Sequence, residues 1–313
     1  MENRCLYCYE SVKGERDFHE KCSMKFFGMP DPPKLEYSLY QMDELAKQVV
    51  ERSVAVPGVQ PKLSLSLVKK MKGNSDARLT VVGALGGQYI FKPPSDRFPV
   101  MPENEHVTMR MAEEFGIRVA PSSLIRLASG ELSYITKRVD RKETGEKIHM
   151  IDMFQITEAY DKYKSSMEKV GKALENYSAN TLLDLTFYFD LTLFSFLTGN
   201  NDMHLKNFSM IESNSGWALS PAYDLLNVVI VLPEDTEELA LTLAGKKRKL
   251  KREHFEKLGE GLGLTPRQLN GAFNRIAENK SKVFAWIDRS FLSDSMKTAY
   301  LKVMEQRYEQ LGF

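Results

Sequence analysis

The sequence has few cysteines and no long uninterrupted hydrophobic run. Its three cysteines all lie within the first 22 of 313 residues, which excludes a disulfide framework for a chain of this size. The most apolar segment, residues 181–198, is interrupted by Asp184 and Asp190, and the amino-terminal stretch lacks the apolar core of a signal peptide. We therefore expect a cytoplasmic protein that does not enter a membrane.

The sequence also lacks an excess of charge of either sign. It has 43 Lys and Arg against 42 Asp and Glu, so nothing indicates that binding to a polyanion is its main function. The one dense basic run has six basic residues between 246 and 252, and we expect a solvated helix start there rather than a patch for tRNA or an acidic partner. With 42% hydrophobic residues, a chain of this length can bury a substantial core, and we expect two lobes.

The three cysteines and one histidine form a cluster of potential metal ligands. Two residues separate Cys5 from Cys8, and two separate His19 from Cys22. Gaps of this length let a tight turn direct both side chains at one point, and four such ligands suit a tetrahedral structural zinc site. Basic and acidic residues balance within residues 1–34, which argues against phosphate contacts by this knuckle-like segment. The alternative is three free thiols and a surface histidine.

Between residues 34 and 150 the pattern indicates strands with helices among them. "QMDELAKQVVER" has a helical pattern, and in "KLSLSLVKK" Leu63, Leu65 and Leu67 alternate with polar residues, as in a strand with one buried face. "ARLTVVGALGGQYIFKPP" predicts a strand pair that ends at Lys92, before two prolines. A helix is predicted over "PENEHVTMRMAEEFG", followed by a strand in "ELSYITKRVDR".

After about residue 150 the pattern becomes helical, with one exception. "TLLDLTFYFDLTLFSFL" predicts an apolar helix, and the polar loop "GNNDMHLKN" comes directly after it. "KNFSMIESNSGWALSPAYD" then predicts a hairpin that turns over residues 213–216. This hairpin joins Asn207 to Asp224, so the two residues must lie close together.

The polar residues around this hairpin match the needs of phosphoryl transfer. That reaction needs a positioned acceptor oxygen and neutralisation of phosphate charge, and protein kinases separate a catalytic Asp from a metal-binding Asn by five residues. Asp202 and Asn207 have this separation, and Asp224 follows the hairpin as a second metal-binding Asp would. The alternative is that Asp202 caps a helix or turn and that Lys92 is a surface lysine. Either Glu103 or Glu105 could pair with Lys92, and the choice stays open.

Seven motifs carry a resemblance to a known family. In order, "GVQPKLSL", "FKP", "ENEHVTM", "KRVDR", "IDMFQI", "GNNDMHLKNFS" and "LSPAYDLL" resemble those of HipA-type serine/threonine kinase toxins over about residues 53–228, most closely the short HipT-like members. The resemblance implies an α+β, two-lobed, protein-kinase-like (HipA-like) fold with a β-rich N-lobe and a mainly helical C-lobe. We expect residues 1–33 to form the zinc-knuckle-like segment and linker, 34–150 the N-lobe and 151–313 the C-lobe.

The resemblance also implies the site residues by position. It makes Asp202 the catalytic base, Asn207 and Asp224 the Mg²⁺ ligands, and Lys92 a contact of the ATP phosphates. The remaining ATP-binding positions are the phosphate-covering loop of Pro57, Gly58, Val59, Gln60, Pro61 and Lys62, the adenine hinge of Ile151, Asp152 and Met153, and the lining residues His204, Lys206 and Tyr223.

The function that the resemblance implies is phosphorylation of a protein serine or threonine by a toxin. By family analogy the substrate is an aminoacyl-tRNA synthetase. The partners are a helix-turn-helix HipB-like antitoxin, through which DNA is reached, and a small HipS-like protein. Two features depart from the family: no serine directly precedes Gly58, so that Ser53 is the candidate for autophosphorylation, and the cysteine cluster is not part of the family pattern. The alternatives are a small-molecule kinase of the same fold and a catalytically silent module that binds an antitoxin.

Overall fold

The computed structural model describes residues 3–52, 62–68, 77–82, 86–98 and 100–313, which divide into two units. The first unit comprises Met1–His106, Ala120–Glu146 and Arg289–Phe291, and the second comprises Val107–Val119, Lys147–Asp288 and Leu292–Phe313. The first contains a five-stranded sheet, and the second is mainly helical. The division of the chain at residues 33 and 150 stays a prediction.

The first unit is built on an antiparallel sheet with the strand order β2-β1-β3-β5-β4. The strands are β1 (Leu63–Val68), β2 (Arg78–Val82), β3 (Tyr89–Lys92), β4 (Ser122–Arg126) and β5 (Leu132–Lys137). Its helices are α1 (Glu20–Phe27), α2 (Leu39–Arg52) and the beginning of α3 (Met101–Glu114). These bounds confirm the helices and strands predicted for this region and add α1 and β4.

The alternation predicted for β1 is not observed at the start of the strand, because Ser64 is buried between Leu63 and Leu65. Leu63 and Leu65 are buried, whereas Leu67 is only half-buried. The pairing explains the difference, since β3 pairs with Leu63–Leu65 alone and Leu67 extends past it. Burial along a strand therefore depends on how far the neighbouring strand reaches.

The proline-rich segment after α1 packs along the sheet. Gly28 ends α1 with a left-handed φ of 73°, a conformation that glycine adopts without steric cost. Further on, the Lys34 amide donates to the Ala77 carbonyl at 3.0 Å, and the Leu79 amide donates back to the Lys34 carbonyl at 2.9 Å. The predicted linker thus lies beside β2 as an additional extended segment.

The second unit combines helices with a three-stranded sheet of order β6-β7-β8. The strands are β6 (Met150–Asp152), β7 (Ser209–Ser213) and β8 (Gly216–Leu219). The helices after α3 are α4 (Met153–Ile156), α5 (Met167–Tyr177), α6 (Thr181–Leu197), α7 (Arg252–Gly261), α8 (Pro266–Glu278), α9 (Lys280–Asp288) and α10 (Asp294–Gln310). The predicted helix start lies at the end of the basic run, where Lys251 is the N-cap and Arg252 is the first residue of α7.

Helix α6 is buried along most of its length, and its two aspartates have structural partners. Asp184 accepts hydrogen bonds from the Ser178 hydroxyl and from the Leu219 amide, which attaches the start of the helix to β8. Asp190 pairs with Arg275 at 2.6 Å. Across the described ranges, no helix combines the length and the hydrophobicity needed to cross a bilayer.

Candidate active site

The polar loop begins where α6 ends in a left-handed turn. Gly199 has a φ of 71°, and the Asn200 amide donates to the Ser195 carbonyl at 2.8 Å, which satisfies one of the last carbonyls of the helix. A Cβ atom at Gly199 would lie 3.0 Å from both Asn227 Oδ1 and Val303 Cγ1. Glycine is therefore required for both conformation and space at the point where the helix leads into Asp202.

Asp202 and Asn207 are joined across a short 3₁₀ turn at Leu205–Asn207. Asn207 Nδ2 donates to the Asp202 carbonyl at 3.2 Å, and the Asn207 amide donates to the His204 carbonyl at 2.9 Å. Since Nδ2 donates to the backbone, the side-chain oxygen of Asn207 is the atom that can bind a cation. The spacing of five residues thus produces a compact loop.

The hairpin returns the chain to this loop, as the sequence predicts. The Tyr223 hydroxyl donates to the Lys206 carbonyl at 3.1 Å and lies 2.6 Å from Ser209 Oγ. Asp224 follows with a φ of 61°, a conformation that is uncommon outside glycine and is often found at functional sites. The residue before Asp224 therefore contacts the residue before Asn207.

His204 shares its surroundings with both acidic residues. Burial lowers the pKa of His204, while the charges of Asp202 and Asp224 oppose this effect. Lys162 Nζ lies 2.8 Å from His204 Nε2. An ammonium group can only donate, so Nε2 accepts and the proton of the neutral ring is on Nδ1. That buried Nδ1 has no hydrogen-bond partner among the described residues.

Tyr163 is a neighbour of Asp202 that the sequence analysis did not single out. Its hydroxyl donates to Asp202 Oδ1 at 2.6 Å, and its ring contacts that of His204 edge-on at 5.1 Å. Burial, followed by the bond to Asp202, raises the pKa of Tyr163, so the phenol remains a donor at neutral pH. Both Tyr163 and Lys162 lie in "YDKYKSS", a polar stretch without periodicity.

The residues predicted as the adenine hinge lie at the junction of β6 and α4. Ile151 and Asp152 are in β6, and Met153 is buried at the start of α4, where its amide donates to the Phe208 carbonyl at 2.8 Å. The Asp152 carboxylate caps α4 by accepting from the Gln155 amide. Lys206 Nζ lies 4.8 Å from the centre of the Phe154 ring. The hinge residues thus belong to the same unit as Asp202.

In the first unit, Lys92 forms a buried ion pair with Glu105. Lys92 Nζ lies 2.6 and 2.7 Å from the two carboxylate oxygens, and the side chains are only 5% and 2% exposed. Glu105, and not Glu103, is therefore the glutamate that pairs with Lys92. The Glu103 carboxylate has a buried oxygen without a partner in the described part of the chain, and burial raises the pKa of Glu103 to about 7.

Part of the predicted nucleotide loop lies outside the described residues. Those positions are Pro57, Gly58, Val59, Gln60 and Pro61, and the candidate for autophosphorylation, Ser53, also lies outside the described residues. Lys62, the last residue of the predicted loop, is exposed just before β1.

The four predicted zinc ligands come together in the first unit. One potential ligand atom from each of Cys5, Cys8, His19 and Cys22 lies within 4.8 Å of the others. We refer to these four residues as the Cys₃His cluster. His19 Nε2 lies 2.9 Å from the Ser11 carbonyl and must donate to it, which leaves the Nδ1 lone pair directed at the sulfurs.

The electrostatics of the Cys₃His cluster favour a thiolate. A hydrogen bond from Cys8 lowers the pKa of the Cys5 thiol to about 4. The same bond raises the pKa of Cys8, and burial raises that of Cys22. The thiolate is the form of cysteine that binds metals, so Cys5 is ready to act as a ligand, whereas Cys8 and Cys22 would release their protons when zinc binds.

The donor set around Asp202 also fits the species that a kinase binds. The carboxylate of Asp224 and the amide oxygen of Asn207 are hard oxygen ligands of the kind that Mg²⁺ takes. The buried Nδ1–H of His204 is a donor that a phosphate or ribose oxygen could satisfy. These features make the loop suitable for a metal-bound nucleotide.

Comparisons with known proteins point to one family. The model of the HipA-like C-terminal domain matches residues 54–284. A candidate kinase of Haemophilus influenzae is 27% identical over 310 residues, covering 90% of this chain and 88% of that protein. The serine/threonine-protein kinase toxin HipA of Shewanella oneidensis is 27% identical over 256 residues, covering 74% of this chain and 57% of the toxin.

A solved structure extends the similarity to the fold. HipA in a complex of the Shewanella oneidensis HipA, HipB and operator DNA matches with a TM-score of 0.69 and 22% identity, over 90% of this chain and 74% of that one. The predicted fold class, α+β and protein-kinase-like of the HipA type, is confirmed by this match.

Proposed function

The chain belongs to the HipA-like C-terminal domain family, and from this we propose that it is an ATP-dependent serine/threonine protein kinase and the toxin of a toxin–antitoxin system. The support from homology is that related chains are named as kinases, one of them a serine/threonine kinase toxin. The support from geometry is the loop that brings Asp202, Asn207 and the end of the hairpin together.

In the proposed reaction, Asp202 accepts the proton of the acceptor hydroxyl. That oxygen bonds to the γ-phosphorus of ATP as the bond from this phosphorus to the β,γ-bridging oxygen breaks, leaving ADP. Tyr163 holds one carboxylate oxygen of Asp202, so the other can face the acceptor. Asn207 and Asp224 would hold Mg²⁺, which neutralises phosphate charge. Lys92, oriented by Glu105, contacts the phosphates.

The single observation that carries the proposal is the hydrogen bond from Asn207 Nδ2 to the Asp202 carbonyl. It holds the Asn207 side chain against the backbone of Asp202, so that a potential base and a potential metal ligand lie at kinase spacing within one short turn.

The test is phosphoryl transfer from labelled ATP by the purified protein with Mg²⁺ and cell lysate. We expect label on a protein band, at serine or threonine. Asp202→Asn should lower the rate about 10²- to 10⁴-fold while nucleotide binding persists, because only the proton acceptor is lost. Asp288→Asn, at an exposed aspartate of the second unit, is the control and should retain full activity.

Other outcomes of this assay would contradict the proposal. Label on a small molecule would identify a small-molecule kinase, and no transfer by the wild-type protein would leave an antitoxin-binding module. Full activity of Asp202→Asn would refute the assigned base.

We also propose that the Cys₃His cluster holds a structural zinc ion. Four ligands with a fixed histidine tautomer suit a closed tetrahedral site. Such a site has no open position, so the ion would not contact a substrate, and it would stabilise the fold of the first unit.

The proposed partners follow from the family. The solved Shewanella oneidensis complex contains HipA with HipB and operator DNA, which supports a HipB-like antitoxin as partner here, with DNA reached through it. An aminoacyl-tRNA synthetase as substrate and a small HipS-like protein as a further partner rest on family analogy, as does action in the cytoplasm. Identification of the labelled band by mass spectrometry tests the substrate.

A further inference from the structure

The loop that carries the first two cysteines also carries a buried tyrosine. Tyr9 follows Cys8 directly, has a left-handed φ of 65° and is 2% exposed. Its amide donates to the Cys5 carbonyl at 2.9 Å, so its backbone is part of the turn that presents the two thiols. A non-glycine residue persists in this conformation only where its surroundings fix it. The contacts of the Tyr9 side chain are therefore expected to hold the backbone in this conformation.

The Tyr9 side chain contacts helix α3 at His106. The Tyr9 hydroxyl lies 2.7 Å from His106 Nδ1, and the two rings meet edge-on with their centres 5.3 Å apart. Phe291 covers another edge of the Tyr9 ring at 5.1 Å. Tyr9 and His106 are both buried, so this hydrogen bond is shielded from water and geometrically defined.

His106 is next to the acidic member of the buried ion pair. Glu105 precedes it on α3 and binds Lys92 through both oxygens. His106 and Lys92 also share a neighbour. The centre of the Tyr134 ring lies 6.5 Å from the centre of the His106 ring and 5.3 Å from Lys92 Nζ. A change in the position of His106 would displace the helical turn that carries Glu105.

We propose that Tyr9 is a positioning residue that couples the Cys₃His cluster to the Lys92–Glu105 ion pair, so that metal loading sets the rate of phosphoryl transfer. The proposal rests on the kinase function proposed above. Metal binding fixes the turn of Cys5 and Cys8, this turn fixes Tyr9, and Tyr9 holds the helical turn of Glu105 through His106. The metal site then acts on catalysis without contacting a substrate.

The test compares Tyr9→Phe with the wild type, both as full chains loaded with zinc. We expect Tyr9→Phe to keep the zinc content of the wild type and its KM for the acceptor protein, while kcat falls roughly 2- to 30-fold, as for mutations along a coupled network. Tyr7→Phe is the matched control, because Tyr7 lies between the same cysteines but contacts Phe26 on α1. It should leave kcat unchanged.

A zinc titration separates coupling from a purely structural effect. In the wild type, kcat should rise with zinc occupancy, whereas in Tyr9→Phe it should be low and independent of zinc. A Tyr9→Phe protein with the kcat of the wild type, or with the same zinc dependence, would overturn the proposal.

Amide hydrogen exchange of residues 103–107 provides a readout that does not require activity. Exchange should be faster in the zinc-free wild type and in zinc-loaded Tyr9→Phe than in the zinc-loaded wild type. Equal exchange in all three would refute the coupling. A wild-type protein that transfers no phosphate but shows these differences would refute the kinase function and leave the coupling supported.

Discussion

Tyr163 gives the clearest prediction at the scale of single residues. Its hydroxyl holds Asp202 Oδ1 at 2.6 Å, and loss of a hydrogen bond to a charged group costs about 1.5–3 kcal/mol. We expect Tyr163→Phe to lower kcat by about tenfold to a hundredfold and to leave KM for ATP unchanged. Steady-state kinetics at saturating acceptor would measure both.

The same loop offers a matched control for Tyr163. Tyr160 is fully exposed, so Tyr160→Phe should have the kinetics of the wild type. An increase of kcat in Tyr163→Phe would show that the phenol blocks the acceptor position instead of orienting the base.

The buried carboxyl group of Glu103 should make the free energy of unfolding depend on pH. Burial raises its pKa from 4.5 to about 7 in the folded state, so the folded protein binds this proton more tightly than the unfolded chain. Stability should therefore fall as pH rises from about 4.5 to about 7 and remain lower above that range. Glu103→Gln stays neutral, and we expect it to raise the free energy of unfolding by on the order of 2 kcal/mol at pH 8.

The measurement for Glu103 is denaturant unfolding of wild type and variant at pH 5 and pH 8. At pH 5 the difference should be much smaller than at pH 8, because the carboxyl is still protonated in the folded state and the loss has only begun as the unfolded chain ionises above its pKa of 4.5. Glu143→Gln, at an exposed glutamate of the same unit, should change stability at neither pH. An equal gain for Glu103→Gln at both pH values would mean that ionisation is not the cause.

The sequence predicts some residue pairs better than others. Local spacing and a hairpin predict that the chain returns to the loop of Asp202 and Asn207, so the contact between Tyr223 and Lys206, the residues before Asp224 and Asn207, could be foreseen. Tyr163 could not, because 39 residues separate it from Asp202 and no periodic pattern marks it. Glu103 and Glu105 are equivalent in sequence, and only the direction of each side chain on α3 selects Glu105 as the partner of Lys92.

At the scale of elements, Gly199 determines how the chain turns from the end of α6 into the loop that contains Asp202. An alanine there would adopt an unfavourable left-handed conformation and place its Cβ 3.0 Å from Asn227 and Val303. We expect Gly199→Ala to lower the free energy of unfolding by about 3 kcal/mol, combining both costs. Denaturant unfolding would measure the loss.

Gly263 allows the two costs at Gly199 to be separated. It follows α7 with a φ of 74°, but a Cβ there meets nothing within 4 Å. Gly263→Ala should therefore cost about 1 kcal/mol, for the backbone alone. Equal losses for the two variants would show that crowding at Gly199 has no effect.

Other elements show where local patterns fail. The β7–β8 hairpin was predictable because its turn residues determine it. Strand β6 has three residues and exists through its pairing with β7, which no local pattern records. Most of the basic run precedes α7, which begins only at Arg252, and the backbone within the run is left-handed at Lys249.

At the scale of the whole molecule, the first unit is assembled from distant parts of the chain. Arg4 donates to the carbonyls of Arg289 and Ser290 at 2.6 and 3.2 Å, and its guanidinium lies over the Phe291 ring. Glu10 pairs with Arg289. Sequence order suggests a division into successive segments, and it cannot reveal that residues 289–291 complete the unit that contains the Cys₃His cluster.

Metal removal should therefore affect the first unit as a whole. We expect about one zinc ion per chain in protein prepared without chelator. Its removal should lower the thermal midpoint, because the cluster holds the segment whose Leu6 carbonyl accepts from Leu124 of the edge strand β4. Elemental analysis and thermal unfolding measure these quantities. Zinc well below one per chain would contradict the assignment.

The placement of every cysteine in one cluster has a practical consequence for spectroscopy. All three thiols of the chain belong to the Cys₃His cluster, so coordination would protect all of them from alkylation at once. A maleimide dye added to the metal-loaded protein would then react only with cysteines introduced by design. Pairs of such dyes, one on each unit, would report distances between the units in solution without removal of any native residue.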